Sequence, residues 1–189
     1  MNAVIPPIDF LRQRNSHPKL VQPAPQGEAL ERIFQAALRA PDHAALTPWR
    51  MLACEGKGLD QLGDIFRRAE ARRDPQASEE QLNRIQGLPQ RAPLVVLVIA
   101  STQAHPKVPV SEQLLSAGCV AHGLLLAAEA EGFAGMWRSG WLCFDPGVHA
   151  ELGMSEGEHL VGFLYLGTPY GRRKNLPELK TKEFVTWWQ

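Results

Sequence analysis

Four groups of cationic and polar residues in this chain have the chemistry to hold an anionic ligand. Each group lies where a helix or strand is expected to end, and loops at such ends are where binding sites are commonly built. A phosphate requires arginine or lysine donors in fork geometry, whereas a planar aromatic ligand requires amide and hydroxyl donors at its polar edge. The groups are Arg14, Asn15 and Ser16 in "RQRNS"; Arg39 and His43 in "RAPDHAALTPWR"; Arg138 and Ser139 in "WRSG"; and Arg172, Arg173 and Lys174 in "GRRK".

His43 could act as a base, as a metal ligand or as a side chain that contacts a ligand. The six histidines form no H-x-x-x-H or H-x-H pair, which argues against a metal site. His122 could share one helix face with Glu112 and Glu129. It lies among leucines and alanines, however, so we expect a hydrogen-bonded histidine of the core or of an interface.

Three common site motifs are absent from the sequence. There is no G-x-x-x-x-G-K-[ST] phosphate loop and no G-x-G-x-x-G fingerprint after a strand. The serine of "WRSGW" does not lie in the G-x-S-x-G elbow of hydrolases. These absences argue against a nucleotide triphosphatase, a dinucleotide-binding domain and a serine hydrolase.

Composition indicates one domain over residues 1–189, because 189 residues with 44% hydrophobic content can bury a sizeable core. The formal net charge of +0 argues against a nucleic-acid partner. Three scattered cysteines and the absence of a basic, apolar leader in "MNAVIPPIDF" favour a cytoplasmic protein with reduced thiols. The longest apolar stretch, 114–128, is shorter than the roughly 20 residues of a membrane span, so we expect a buried helix and no membrane partner.

The periodicity of apolar residues predicts an α+β protein in which four or five strands form a central sheet flanked by helices. The run at 92–100 lacks alternation, which is typical of a strand buried on both faces. Asp42 is expected to cap or pair, and Trp49 to pack where its strand begins. The predicted helices are a short one from Pro7, then 27–39, 58–73, 77–88, 110–131 and 145–152; the predicted strands are 49–56, 92–100, 133–138 and 159–169.

Two segments leave the assembly state open. The helix at 110–131 is apolar nearly all round, so it lies either at the centre of one chain or at the interface of a homodimer. The tail "KEFVTWWQ" is aromatic and β-prone, and an unpaired terminal strand would promote aggregation. We expect the tail to pair, with a partner subunit as one candidate.

The chain resembles the flavin-dependent nitroreductase family, and within it the minimal bacterial NAD(P)H nitroreductases. The pattern APxxxxxxPW before a strand and GFxGxWRSG after a long apolar helix carry the resemblance, together with "RQRNS", "RAPLVVLVIA" and "VGFLYLGTP". The resemblance implies a mostly antiparallel sheet and a homodimer with FMN in two interfacial clefts. It also implies a ping-pong reaction in which NADH or NADPH reduces the flavin and a small-molecule electron acceptor then reoxidises it.

By position, the resemblance implies an FMN-binding set. Arg14, Asn15 and Ser16 match the N-terminal triplet, while Arg39 and His43 match contacts from the other subunit. Trp137, Arg138 and Ser139 match a segment along the flavin ring, and Arg172, Arg173 and Lys174 lie where many members place a phosphate-binding cation. The nicotinamide segment corresponds to Ala127, Ala128, Glu129, Ala130, Glu131 and Gly132.

No side chain is assigned as a catalytic acid or base, because the flavin carries the redox chemistry and the protein positions it. A cation near N1 and the C2 carbonyl would stabilise the reduced flavin, and Arg14 or Arg138 could supply it. Relatives carry a second arginine where this chain has Asn15, which removes one charge. A non-catalytic flavin-binding protein and a reductase of one specific acceptor are the alternative functions.

Overall fold

The computed structural model describes residues 5–189, and nearly all the predicted elements are present. Pro7 occupies the first turn of the first helix, and the Asp145 side chain caps the last one by accepting a hydrogen bond from the Val148 amide at 2.8 Å. The helices are α1 (Pro7–Arg12), α2 (Gly27–Ala37), α3 (Lys57–Arg73), α4 (Glu79–Gln86), α5 (Val110–Ala130) and α6 (Pro146–Glu151). The strands are β1 (Leu20–Val21), β2 (Trp49–Glu55), β3 (Leu94–Ser101), β4 (Ala134–Arg138) and β5 (Glu158–Pro169).

One five-stranded sheet organises the chain, and all its strand pairs are antiparallel. β3 lies between β2 and β5. The long strand β5 also pairs with β4 and, near Pro169, with β1. The α+β class and the mostly antiparallel sheet of four to five strands are therefore confirmed.

The sheet is covered by helices on both faces, which explains why β3 reads as an unbroken apolar run. Val95, Leu97 and Ile99 belong to the cluster formed with α3 and α6. Val96 and Val98 point the opposite way, into the cluster formed with α2 and α5. Because successive side chains of a strand alternate between faces, both faces of a central strand must be apolar when both are covered.

Helix α5 is the central helix of this arrangement. By length and composition it is the one helix of the described residues that could span a membrane, with a mean hydropathy of 1.3 over its apolar window. In the fold it packs between α2 and the sheet, and Val120, Ala121 and Leu124 are fully buried there. The apolar character of α5 is thus explained by its packing in the core of the chain.

One predicted helix boundary differs from the structure, and two predicted contacts are not tested within one chain. The helix predicted over 27–39 ends two residues earlier, at Ala37, and its C-cap Leu38 is 44% exposed. His122 was expected in the core or at an interface; within one chain it is exposed and so lies outside the core, and its place at an interface stays a prediction. The aromatic tail forms no strand within one chain, where residues 170–189 are exposed and contain one short 3-10 turn, Thr181–Glu183; its pairing with a partner subunit stays a prediction.

Gly135 marks a close approach between β4 and α5, which yields a stability prediction. A methyl group at this position would lie 2.6 Å from Leu125 Cδ2 and 2.8 Å from Leu166 Cδ2, both in the core. We expect Gly135→Ala to lower the free energy of unfolding by about 1–3 kcal/mol through overpacking. Urea unfolding measures this. The control Gly58→Ala, whose methyl group would meet only Cys54 Cβ at 3.6 Å, should change stability by less than about 1 kcal/mol.

Candidate functional site

A cavity of about 350 Å³ lies at the C-terminal end of α5, where the N-terminal segment crosses the edge of the sheet. The segment is held there by the His17 amide, which donates to the Gly135 carbonyl at 3.0 Å. Directly after β5, the Tyr170 amide donates to the Lys19 carbonyl at 3.1 Å. The lining residues are Asn15, His17, Glu129, Gly132, Phe133, Ala134, Pro169, Gly171 and Arg173.

The cavity joins three of the groups singled out by the sequence. Asn15 belongs to the N-terminal triplet, Glu129 and Gly132 to the expected nicotinamide segment, and Arg173 to "GRRK". They are far apart in the chain and meet only because β4 and β5 pair beside the end of α5. Of the four cationic and polar groups noted in the sequence, the N-terminal triplet and "GRRK" therefore each supply one residue to this cavity.

The short segment that follows β5, residues 170–174, is called the strap, and it is tied to the N-terminal segment by hydrogen bonds. Arg173 Nη2 donates to the Gln13 carbonyl at 2.7 Å and also to Glu129 Oε1. The Asn15 side-chain amide donates to the Lys174 carbonyl at 2.7 Å. Asn15 thus serves as a structural tie as well as a wall of the cavity.

Other members of these groups lie beside the cavity without lining it. Arg14 and Ser16 are half-buried on either side of Asn15, and Arg172 is exposed on the strap. Lys174 lines a smaller cavity of about 210 Å³ that shares Asn15 and Arg173 with the first. Arg173 is therefore the arginine at this cavity whose side chain has defined hydrogen-bond partners.

His17 is a residue of this cavity that the sequence reasoning missed. Its side chain is 7% exposed, and its Nδ1 donates to the Lys19 carbonyl at 3.0 Å. Its place directly after the triplet was the available signal. Phe133, Ala134 and Pro169 were also missed as lining residues, since apolar residues at strand ends resemble ordinary core positions.

The loop "RAPDHAALTPWR" is built around Asp42. Its carboxylate accepts hydrogen bonds from the Leu46 amide at 3.2 Å and from the Thr47 amide at 2.6 Å, so Asp42 pairs with backbone amides of the loop and does not cap the short 3-10 turn His43–Ala45 with its side chain. Ala44, Ala45 and Thr47 adopt positive φ angles of 64°, 50° and 45°. Because residues with side chains rarely adopt that conformation, the Asp42 contacts are needed to hold the loop.

This loop lies at the opposite end of α5 from the cavity. His43 Nδ1 contacts Glu112 Oε2 at 2.7 Å, in the first turn of the helix, and Arg39 is exposed just before the loop. Glu112 and Glu129 are about 25 Å apart at a rise of about 1.5 Å per residue. Within one chain, Arg39 and His43 therefore do not join the residues of the cavity.

The segment of Trp137, Arg138 and Ser139 is also remote from the cavity. Arg138 follows Ala134 along β4 at a distance of about 13 Å, at roughly 3.3 Å per residue. Trp137 points to the α5 side of the sheet and donates from Nε1 to the Val161 carbonyl at 3.2 Å. Ser139 is exposed.

Arg138 points to the other face of the sheet, toward α3. Its guanidinium carbon lies 5.5 Å from the ring centroid of Tyr165, within range of a cation–π contact. Burial, followed by the charge of Arg91, lowers the pKa of Arg138, and burial raises the pKa of Tyr165 to about 12. Because neighbouring strand residues point in opposite directions, Trp137 and Arg138 cannot both cover one face of a ligand in one chain.

The expected nicotinamide segment divides among several environments. Ala128 is fully buried and Ala127 is half-buried, both against the α2 side of the core, and Ala130 is exposed. Glu131 turns away from the cavity and forms a two-point ion pair with Arg32, with distances of 2.9 and 2.8 Å. Only Glu129 and Gly132 of this segment line the cavity.

The comparisons define first the class of protein. The five-stranded antiparallel sheet with its central helix is nitroreductase-like: the nitroreductase-like family protein from Bacillus cereus superposes with a TM-score of 0.83 at 20% identity, covering 100% of this chain and 98% of that one. A nitroreductase from Bacteroides fragilis, solved with bound FMN, superposes with a TM-score of 0.73 at 22% identity, covering 96% and 98%.

Sequence comparison then gives the family. The model of the Nitroreductase family matches residues 11–168. YdjA of Escherichia coli strain K12, which carries the provisional name NAD(P)H nitroreductase, is 38% identical over 162 residues, covering 86% of this chain and 87% of YdjA. The chain belongs to the nitroreductase family.

The hydrogen bonds of Asp42 give a prediction for the loop. We expect Asp42→Ala to accelerate hydrogen exchange at the Leu46 and Thr47 amides, because both lose their acceptor, and to lower stability by about 1–2 kcal/mol. Asp42→Asn keeps one acceptor oxygen and should have a smaller effect. Unchanged exchange at both amides in the Asp42→Ala variant would show that the backbone holds the loop without Asp42.

Proposed function

We propose that this chain is an FMN-dependent NAD(P)H oxidoreductase that reduces nitroaromatic, quinone or similar electron acceptors by ping-pong hydride transfer. The observation that carries the proposal is the cavity at the C-terminal end of α5, which joins Asn15, Glu129 and Arg173. Family membership and the FMN bound to the relative from Bacteroides fragilis support the cofactor. The name of YdjA supports NAD(P)H as the electron donor.

The residues of the cavity fit FMN chemically. Arg173 offers a guanidinium and Asn15 an amide for a phosphate or a polar ring edge, while Phe133 and Ala134 offer apolar cover. Bound FMN would supply the redox chemistry, by taking a hydride from the nicotinamide and passing it to the acceptor. Of the two arginines considered for stabilising charge on the ring, we favour Arg14, because it is adjacent to Asn15 of the cavity wall.

A homodimer would complete the site. α5 presents an exposed stripe at helical spacing, formed by Leu115, which is 70% exposed, Cys119 and His122, with Leu126 half-buried at its end. A two-fold axis that pairs two α5 helices antiparallel would bring the N-terminal end of one helix to the C-terminal end of the other. The separation of about 25 Å between the two groups within one chain supports this pairing, because it would place His43 of the partner subunit at the cavity.

The cytoplasm is the compartment that we propose for this enzyme. Cys54, Cys119 and Cys143 are all free, and burial raises the pKa of the Cys143 thiol to about 11. Such a thiol stays protonated and unreactive near neutral pH, as expected of a structural core cysteine. Free thiols agree with a reducing compartment.

The spectrum of the purified protein tests the proposed function. We expect a yellow protein whose flavin absorbance disappears when NADH or NADPH is added without oxygen, and returns when a quinone or nitroaromatic acceptor follows. Stopped-flow absorbance should show the two half-reactions separately. Protein that binds FMN but is not bleached by either nicotinamide would support a non-catalytic binder, and protein that binds no FMN would refute the proposal.

The exposed stripe of α5 generates a test of the homodimer. We expect Leu115→Glu to convert a dimer into a monomer, because it places charge in the centre of the proposed apolar contact. Light scattering during size-exclusion chromatography measures the mass. Phe144→Glu is the matched control, since Phe144 is 77% exposed but follows Cys143 on the α3 side of the sheet. Equal masses for wild type and Leu115→Glu would argue against α5 as the interface.

A further inference from the structure

The hydrogen bonds of Arg173 determine how this arginine can bind an anion. Its Nη2 donates both to the Gln13 carbonyl and to Glu129 Oε1. A terminal guanidinium nitrogen carries two N–H groups, so both are in use. Nη2 therefore has no hydrogen left for a ligand while the two contacts hold.

An arginine can donate two parallel hydrogen bonds to a phosphate or carboxylate through either of two pairs of nitrogens. One fork uses Nε with Nη2, as in the pairs of Arg32 with Glu131 and Arg50 with Glu158. The other fork uses both terminal nitrogens. Since each fork includes Nη2, Arg173 must release either Gln13 or Glu129 before it can hold a phosphate with two points.

The two partners of Arg173 are not equally replaceable. The Gln13 carbonyl belongs to the backbone of the segment that forms the cavity wall. The Glu129 partner is a side chain, which can rotate away from Arg173. Its carboxylate oxygens, like those of a phosphate, are anionic hydrogen-bond acceptors. The Glu129 side chain is 19% exposed and that of Arg173 is 48% exposed, so the pair lies at the mouth of the cavity, within reach of a ligand.

We propose that Glu129 is an internal competitor for Arg173 that sets how tightly the cavity holds the phosphate group of its ligand. This inference rests on the proposed function, and it assigns Glu129 a positioning role. When a phosphate takes Nη2, the Glu129 carboxylate is displaced but stays close, at the end of α5, where it repels the negative charge. Glu129 therefore weakens phosphate binding both by competition and by repulsion, and it leaves a ligand without phosphate unaffected.

Comparison of FMN with riboflavin tests the inference, because the two flavins differ only in the phosphate. The flavin-free full-length chain is titrated with each flavin at constant ionic strength, and quenching of flavin fluorescence gives the dissociation constant. We expect Glu129→Gln to tighten FMN binding about threefold to fivefold, the scale of a partly exposed ion pair, with riboflavin changed by less than about twofold. In an Arg173→Ala background, Glu129→Gln should tighten FMN binding less than it does in the wild type, because the competition is gone and only the repulsion remains.

Glu131→Gln is the matched control for the change of charge. It removes the same charge two residues along the chain, from a carboxylate that pairs with Arg32 instead. We expect its ratio of FMN to riboflavin affinity to equal that of the wild type. A Glu129→Gln effect that is absent, equal for both flavins or matched by Glu131→Gln would overturn the inference. Failure of the wild-type chain to bind either flavin would instead overturn the proposed function.

Discussion

The packing of α5 between α2 and the sheet is the constraint on which the rest of the structure depends. The two helices approach so closely that a methyl group on Gly123 would lie 3.1 Å from Ala37 Cα. Val120, Ala121 and Leu124 fill the space to β3 and β5 without polar groups. Because tight apolar packing fixes a helix along its whole length, both ends of α5 become rigid supports for polar residues.

The polar groups at the two ends of α5 have different functions in the fold. At the N-terminal end, Glu112 meets His43 on a loop that Asp42 holds in a left-handed conformation. At the C-terminal end, Glu129 meets Arg173 of the strap. The helix keeps these ends about 25 Å apart, so a ligand that needs both requires a second chain. Burial of α5 thus links the core to the proposed oligomeric state.

Much of the fold could be predicted, and much less of the site. The centre of the fold could be predicted, because burial removes apolar surface from water. That argument places both the unbroken apolar run at 94–100 and the long apolar helix there. The tail was different, since aromatic β-prone residues form a strand only where they reach the edge of another strand, and within one chain residues 184–189 pair with none of the described strands. His17 was missed because its burial depends on the chain folding against β4, and its place after the triplet was the one signal in the sequence.

The sequence by itself determined the elements, their order and the family, because periodicity, caps and family motifs are local properties of the chain. Only the tertiary structure decided which charged groups meet. It paired Arg173 with Glu129, turned Glu131 to Arg32, and placed Trp137 and Arg138 on opposite faces of the sheet. The physical reason is that such contacts depend on strand register and helix packing over long separations, where a shift of one residue reverses the direction of a side chain.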